Sequence, residues 1–270
     1  MNESRFRDLV AAEWIKLWSL RSTYWVLGVG ALVVIGINVN SAQSNAERLR
    51  HQPAADPLNP DFVFDPMSSA FVDPAFQILM IIAASVGAIA VFGEYSSGLI
   101  RTTFAAVPAR RPVVAAKVAV ITAVMLALGT VVSATSFGVT QAILGKNGMS
   151  IGDPGALRAV AGSALLAPVC ALVGMALGAV VRHATGTVVA VVGVLLLLPA
   201  LFQGETYRWV KEIGNAMPLT AWEALVSNPA RTYPLPGKYP ETITEAWVVF
   251  ALWPLVAAVV AVSVVHRRDL

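Results

Sequence analysis

Six long apolar segments account for most of this 270-residue chain. Hydrophobic residues make up 57% of the sequence and charged residues only 13%, compared with about 45–50% and about 25% in soluble domains. A hydrocarbon layer requires about 20 helical residues per crossing, and unpaired backbone groups in lipid exclude other open-chain structures. The sequence therefore predicts an all-α integral membrane protein. The predicted transmembrane spans are residues 24–43, 75–93, 113–143, 157–181, 185–204 and 246–265.

The distribution of Lys and Arg between the loops predicts the orientation of these spans. If the N-terminus is cytoplasmic, 11 of the 19 Lys and Arg residues fall on the cytoplasmic side, where the connecting segments are short. Acidic residues show the opposite bias, with 11 of 16 on the other side. Because Lys and Arg are enriched in cytoplasmic loops, we expect both termini to be cytoplasmic. An even number of spans agrees with this orientation.

Residues 1–22 form an amphipathic segment ahead of the first span. Apolar side chains recur at helical spacing, and polar residues such as Lys16 occupy the other face. We interpret this segment as an elbow helix that lies in the cytoplasmic membrane interface, and residues 23–270 as the six-span domain. Packing of the helix against other spans is the alternative. The apolar face consists of Phe6, Leu9, Val10, Trp14, Leu17 and Trp18.

Two longer segments lie on the predicted outer side. Residues 44–74 read as a polar, proline-containing loop, and residues 205–245 contain two predicted short helices near 207–213 and 218–226. Tryptophan is enriched at membrane–water interfaces because its ring is amphipathic. We therefore expect the tryptophans of the second segment to lie at the outer interface. These are Trp209, Trp222 and Trp247.

A possible nucleophile motif occurs before the fourth span. Gly148, Ser150 and Gly152 match the GxSxG spacing of a hydrolase nucleophile elbow, which requires a tight turn from strand to helix. Here the residues join two predicted membrane helices, and His51 is the one histidine on the same predicted side. A membrane-embedded hydrolase is therefore a minor alternative. Helix capping by Asp153, with proline in the first turn of the fourth span, is the preferred interpretation.

We assign no catalytic residue, and the sequence contains no recognisable cofactor-binding or metal-binding motif. The three histidines are far apart, Cys170 lies in an apolar segment, and no GxxxxGK[ST] stretch occurs. The centres of the predicted spans contain no ionisable residue, which argues against ion-coupled transport. The basic residues follow membrane topology, so we expect no nucleic acid partner. If ATP drives this protein, a separate subunit hydrolyses it.

Small and polar residues in two spans indicate contacts between helices. Gly174 and Gly178 form a GxxxG pattern in the fourth span, which favours close helix packing. Four hydroxyl-bearing residues recur at spacings of three and four in the third span. They are candidates for lining a transport pathway, although hydrogen bonding between helices is the favoured interpretation. The four residues are Thr130, Ser133, Ser136 and Thr140.

The segment between the second and third spans reads GEYSSGLIRTTFAAVPARRPVVAAK at residues 93–117 and carries the strongest functional signal. Ser97 can cap a short helix, and Pro108 discourages its continuation. A helix of about ten residues is unstable alone and needs a surface that buries its apolar edge. Glu94 lies at the C-terminal end of a span, where the helix dipole disfavours an anion. A nearby cation, Arg101 or Arg110, is expected to compensate.

The chain resembles the membrane subunits of type 2 ABC transporters, a family of bacterial export permeases. The likeness rests on EWIKLWSLRSTYWV, FGEYSSGLIRTTFAAVPARRPVVAAK, GDPGALRAV, GMALGAVVRHATGT and the closing HRRD. In that family an elbow helix precedes six spans, and the short cytoplasmic loop after the second span is a coupling helix that docks on the ATPase. The resemblance implies this coupling role for Glu94, Tyr95, Ser97, Gly98, Ile100, Arg101 and Phe104.

The resemblance also implies a function and a set of partners. We expect an export permease in the bacterial cell membrane that binds no cofactor directly, because the partner subunit uses the ATP. The expected partners are a cytoplasmic ABC ATPase, membrane lipid and a second permease copy, in a homodimer or a related heterodimer. Drugs, peptides, lipids and glycans all remain open as substrates. A polytopic membrane scaffold or sensor without transport is the alternative.

Overall fold

The computed structural model describes residues 3–51, 55–56, 59–96, 110–230 and 238–267. Within these ranges the regular structure is helical apart from one short antiparallel pair, β1 (Ala55–Asp56) and β2 (Asn59–Val63). Six of the helices are long and apolar enough to cross a membrane. The prediction of a helical, multi-pass membrane architecture is confirmed.

The six spans follow the predicted segments. They are α2 (Arg21–His51), α4 (Asp73–Ser96), α5 (Arg110–Leu144), α6 (Ala156–Val181), α7 (Ala184–Leu201) and α10 (Ile243–Arg267). We call the end of the bundle that contains Glu94 and Lys117 the proximal end, and the end that contains Asp65 and Met149 the distal end. The other helices are α1 (Glu3–Ser19), α3 (Pro66–Ala70), α8 (Arg208–Asn215) and α9 (Pro218–Val226).

Helix α6 is the most buried span and contacts α4, α5 and α10. Glycines bring its backbone against α4. A Cβ atom added at Gly87 would lie 1.9 Å from the carbonyl oxygen of Ala171, and one added at Gly174 would lie 1.9 Å from that of Ala84. One turn later the approach is looser, and a Cβ atom added at Gly178 would lie 2.9 Å from the carbonyl oxygen of Ala88. The predicted close packing at the GxxxG pattern is confirmed.

The first span is longer than predicted. Helix α2 continues to His51, so residues 44–51, which were predicted as loop, are helical. Glu47 is exposed, and its Oε2 lies 3.1 Å from Arg50 Nη1. Its other carboxylate oxygen, Oε1, lies 3.1 Å from His51 Nε2. Pairs at these spacings stabilise the polar end of the helix. The predicted loop is therefore shorter, and α3 occupies part of the remainder.

The start of α6 differs from the predicted cap. The helix begins at Ala156, and Gly155 occupies the N-cap position with φ at +88°. The Asp153 carboxylate accepts a hydrogen bond from the backbone N–H of Ser150 at 2.7 Å, and Pro154 lies before the helix. Both capping assignments are wrong, because glycine adopts this left-handed conformation without steric cost and sets the turn one residue later.

Helix α9 packs between α6 and α10. Trp222 on this helix is fully buried, its Nε1 donates to Ser163 Oγ at 2.9 Å, and its ring stacks on Phe76 at 4.9 Å between centroids. The prediction that Trp222 lies at the membrane interface is wrong, because α9 inserts between two spans. The two predicted short helices are confirmed as α8 and α9.

Pro199 lies inside α7 without ending it. A π-helical turn, Gly193–Leu197, precedes it. Proline lacks a backbone N–H, and its ring collides with the carbonyl group four residues earlier. The wider π turn relieves this collision, so the fifth span continues to Leu201.

Candidate functional site at the proximal end

Four charged side chains from three helices form one cluster at the proximal end. Lys117 Nζ on α5 lies 2.5 Å from Glu13 Oε2 on α1 and 2.9 Å from Glu94 Oε1 on α4. Lys16 Nζ on α1 lies 2.8 Å from Glu13 Oε1 and 3.1 Å from Glu94 Oε1. Each carboxylate therefore contacts both ammonium groups. We call these four residues the proximal ion-pair cluster.

Two members of the proximal ion-pair cluster, Glu13 and Lys117, are buried, and Glu94 is largely buried. The side chains of Glu13, Lys117 and Glu94 are 7%, 8% and 15% exposed. An ionised group in such an environment loses its hydration and needs its partners, because an unpaired buried charge costs several kcal/mol. The cluster carries no net charge. It consequently holds α1, α4 and α5 in one relative position.

Lys16 forms the exposed edge of the cluster, with 41% of its side chain accessible. Partial burial lowers the pKa of its ammonium group, whereas hydrogen bonding to Glu13 and the charge of Glu94 raise it. The net effect is a pKa above the usual value. Lys16 therefore remains protonated at neutral pH and keeps both carboxylates compensated.

A second contact at the proximal end joins α4 to α6. The Arg182 guanidinium carbon lies 4.4 Å from the centroid of the Tyr95 ring, and Arg182 Nη2 donates to the Tyr95 hydroxyl at 3.4 Å. Arg182 ends α6 with φ at +58°, and its backbone N–H donates to the Gly178 carbonyl at 3.0 Å. This left-handed cap turns the chain toward α7 and presents the guanidinium to α4.

Two of the predicted coupling residues, Glu94 and Tyr95, belong to the described part of the chain. The expected cation beside Glu94 is present, and it is supplied by Lys117 and Lys16. The two arginines predicted for this role are not among the side chains that the structure describes. The other predicted coupling residues also lie outside the described residues. They are Ser97, Gly98, Ile100, Arg101 and Phe104.

Sequence reasoning missed the partners of Glu94. Lys117 lies inside the third predicted span, and an ionisable residue in a span requires a partner, so this signal was available. Glu13 and Lys16 gave a weaker signal because charged residues are ordinary on the polar face of an amphipathic helix. The structure turns both residues toward the bundle, which explains why α1 contacts α5.

The hydroxyl-bearing residues of α5 form hydrogen bonds within this chain. Ser136 Oγ accepts from Asn38 Nδ2 at 3.0 Å and thereby joins α5 to α2. The other three hydroxyls donate to carbonyl groups about one turn earlier in the same helix. Hydrogen bonding between helices is confirmed at Ser136, and pathway lining stays a prediction. The four residues considered for that role are Thr130, Ser133, Ser136 and Thr140.

Ser150 and His51, the two residues of the hydrolase alternative, have other hydrogen-bond partners. Among the described residues, no hydrogen bond joins Ser150 to His51. Ser150 Oγ accepts from the backbone N–H of Gly152 at 3.4 Å, and His51 Nε2 lies beside Glu47. The described ranges also contain no group of three or more His, Cys, Asp or Glu residues arranged to hold a metal ion.

A separate group of acidic side chains lies at the distal end. Burial raises the pKa of Glu223 to about 7, with Asp73 adding to the effect and Lys211 opposing it. Burial, together with Glu245 and Glu223, raises the pKa of Glu241 to about 8. Both carboxylate oxygens of Glu241 are buried without a hydrogen-bond partner among the described residues. These two carboxyl groups can therefore bind protons near neutral pH.

The raised pKa values predict that stability falls as the pH rises through neutrality. The ordinary glutamate pKa is 4.5 and that of folded Glu241 is about 8, so the native state binds more protons than the unfolded state between these values. The stabilisation that this extra bound proton gives the folded state is complete below pH 4.5. It is lost as the pH rises past about 8. We expect Glu241→Gln to flatten this decline, measured as the unfolding temperature in detergent at acidic, neutral and alkaline pH.

Exposed Glu47 provides the matched control for this prediction, since its side chain is 60% accessible. Glu47→Gln should retain the decline of the parent protein. An unchanged decline in Glu241→Gln would contradict the assignment of the titration to this carboxyl group.

A scan against known protein families and a search of curated proteins find no match to this chain. The functional interpretation therefore depends on the sequence motifs and on the geometry of the proximal end.

Proposed function

We propose that this protein is the membrane-spanning permease subunit of an ATP-driven ABC exporter in the bacterial cell membrane. It works as a dimer with a separate cytoplasmic ATPase. In this arrangement the proximal end and both termini face the cytoplasm, α1 is the interfacial elbow helix, and residues 94–107 contact the ATPase. The permease itself hydrolyses no nucleotide.

The proximal ion-pair cluster is the observation that carries this proposal. Glu94 precedes the undescribed segment 97–109 and Lys117 follows it, and the two side chains contact each other directly. A displacement of that segment therefore acts on α4 and α5 together. Glu13 and Lys16 pass the same displacement to α1. The segment proposed to dock on the ATPase thus begins and ends next to side chains that join α1, α4 and α5.

The contact between Tyr95 and Arg182 supports the same interpretation. It attaches the last turn of α4 to the end of α6, the span that contacts α4, α5 and α10. A movement that begins beside Glu94 can therefore reach the centre of the bundle. The excess of Lys and Arg among the segments at this end agrees with a cytoplasmic location.

These contacts suggest how nucleotide binding would be transmitted. Closure of two ATPases on ATP would displace the segments between α4 and α5 in both permease copies. Because packed helices move as rigid bodies rather than deforming continuously, α1, α4 and α5 would shift as a unit held by the proximal ion-pair cluster. This shift would open or close a pathway between the two copies.

Replacing both Ile100 and Phe104 with aspartate tests this function. Each of these apolar side chains would contribute about 1.5–3 kcal/mol if buried against a partner, so two buried carboxylates should abolish the docking. We expect the ATPase to be lost when the tagged permease is purified from membranes. Quantitative mass spectrometry of the purified complex measures the ratio of ATPase to permease.

Ile151→Asp is the matched control, because Ile151 is 51% exposed at the distal end. This variant should retain the ATPase. If the Ile100 and Phe104 double variant also retains it, the docking role is wrong. If no ATPase accompanies the unaltered protein, the result favours a membrane scaffold or sensor.

A further inference from the structure

A cleft lies beneath the proximal ion-pair cluster, between α1, α2, α4 and α5. Its volume is about 490 Å³, within the range of about 300–1,000 Å³ that is typical of small-molecule sites. The four charged residues of the cluster lie at one end of the cleft. Its walls are mainly aliphatic, and they include Leu17, Val26, Val86, Ile89, Ala90 and Ile121.

The depth of the cleft corresponds to one leaflet of a bilayer. Along α4 the lining residues extend from Glu94 to Ser85, which is a helical rise of roughly 13 Å. A leaflet contributes about half of the roughly 30 Å hydrocarbon thickness. Since Glu94 lies at the end of its span, the charged end of the cleft is at headgroup level. Its aliphatic part lies at the depth of acyl chains.

The cleft is open toward the surface of the bundle that meets lipid. Val26 on α2 and Ile89 on α4 both line the cleft, and they are 42% and 52% exposed. Both belong to helices that are long and apolar enough to cross a membrane. A hydrocarbon chain can therefore enter from the side without leaving the bilayer.

Two basic residues lie at or beside the headgroup end of the cleft, where the proximal ion-pair cluster itself carries no net charge. The Lys16 ammonium group has three N–H donors, and Glu13 and Glu94 accept from it in the described structure. Its partly exposed side chain leaves a donor for a further acceptor. Arg21 does not itself line the cleft, but it is exposed and its sequence neighbours Leu20 and Ser22 both line it. A phosphate group beside these two cations would be favoured electrostatically.

We propose that this cleft binds one acyl chain of an anionic phospholipid from the adjoining leaflet, with the phosphate beside Lys16 and Arg21. The lipid fills the space between α1 and the spans and completes the packing beneath the proximal ion-pair cluster. This inference goes beyond the proposed export function, since it requires neither the ATPase nor transport. It makes a bound lipid part of the contact between α1 and the bundle.

Photochemical labelling of the full-length protein tests the acyl-chain site. The protein is reconstituted in vesicles of phosphatidylethanolamine and phosphatidylglycerol, with a diazirine in the middle of one phosphatidylglycerol chain. Peptide mapping should find label concentrated at residues 85–90 and 120–121. Ala90→Trp fills the cleft and should reduce this labelling about tenfold, equivalent to about 1.4 kcal/mol. Leu32→Trp, at a position of α2 that is 71% exposed and outside the cleft, should retain it.

Two further variants keep the test decisive. Val86→Trp fills the cleft from a different position on α4, and thermal unfolding establishes that each tryptophan variant is folded. Arg21→Gln leaves the cleft volume unchanged and should remove the preference for phosphatidylglycerol over phosphatidylcholine with the same labelled chain. Undiminished labelling in folded Ala90→Trp and Val86→Trp would overturn the proposal. Cross-linking of residues 85–90 to a second copy, in place of lipid, would also overturn it and assign the cleft to a dimer interface.

Discussion

Replacing Lys117 with methionine is expected to lower the free energy of unfolding by about 3–5 kcal/mol, the usual cost of removing one partner from a buried ion pair. Lys117 is 8% exposed and contacts both Glu13 and Glu94. Methionine preserves most of the side-chain volume but removes the charge. Two buried carboxylates would then share Lys16 alone, which is partly exposed. Equilibrium unfolding in mixed micelles measures the loss.

Lys146→Met is the matched control for this effect. Lys146 is exposed in the turn after α5, at the opposite end of the bundle, so its removal should change stability by less than about 0.5 kcal/mol. Combining Lys117→Met with Glu94→Gln should cost less than the sum of the two single changes, because the double variant leaves fewer unpaired charges. Strictly additive losses would mean that the two side chains do not interact.

The same variant separates the function of the cluster from its structural role. If the cluster transmits force from the 97–109 segment, Lys117→Met in the assembled complex should weaken the dependence of transport on ATP hydrolysis. The ATPase should still copurify, since its proposed docking residues are intact. Normal coupling in a variant that has lost the expected stability would restrict the cluster to structural support.

Replacing Gly87 with alanine is expected to destabilise the bundle by about 1–3 kcal/mol or more, the range for overpacked interiors. The new Cβ atom would lie 1.9 Å from the Ala171 carbonyl oxygen. A backbone atom cannot avoid the contact by changing rotamer, so α4 and α6 would have to separate. The separation would also weaken the neighbouring contact between Gly174 and Ala84. Equilibrium unfolding in mixed micelles is again the measurement.

Gly138→Ala provides the comparison within a span. A Cβ atom added there meets nothing within 4 Å, so the substitution should leave stability unchanged or raise it through better helix propensity. Gly174→Ala should resemble Gly87→Ala, and the two together should not be additive because they affect one helix crossing. Equal effects of Gly87→Ala and Gly138→Ala would contradict the close approach of α4 and α6.

The spans could be predicted because each depends on the residues of a single segment. The third span was placed at residues 113–143 and is Arg110–Leu144, and the fourth was placed at 157–181 and is Ala156–Val181. Apolar composition over about 20 residues is sufficient for these assignments. The end of the first span was predicted wrongly because apolar composition does not identify a polar helix. Helix α2 continues as a polar segment to His51.

The candidate site could be predicted only in part. The dipole argument correctly required a cation beside Glu94. It selected Arg101 and Arg110, whose side chains the structure does not describe. It did not find Lys117 and Lys16, which are 23 and 78 residues away from Glu94 and contact it. Trp222 was misplaced for a related reason, since its ring contacts Phe76 and Ser163 on other helices. No pattern within one segment specifies such neighbours.

The sequence by itself determined that the chain forms six apolar helices, with a charged, patterned segment between the second and third. Only the tertiary structure decided that Glu13, Lys16, Glu94 and Lys117 meet, and that an aliphatic cleft lies beneath them. Hydrophobic length is a sum over consecutive residues and can be read locally. The pairing of buried charges depends on how each helix is rotated about its axis and on which helix lies beside it, and the packing of the whole bundle fixes both.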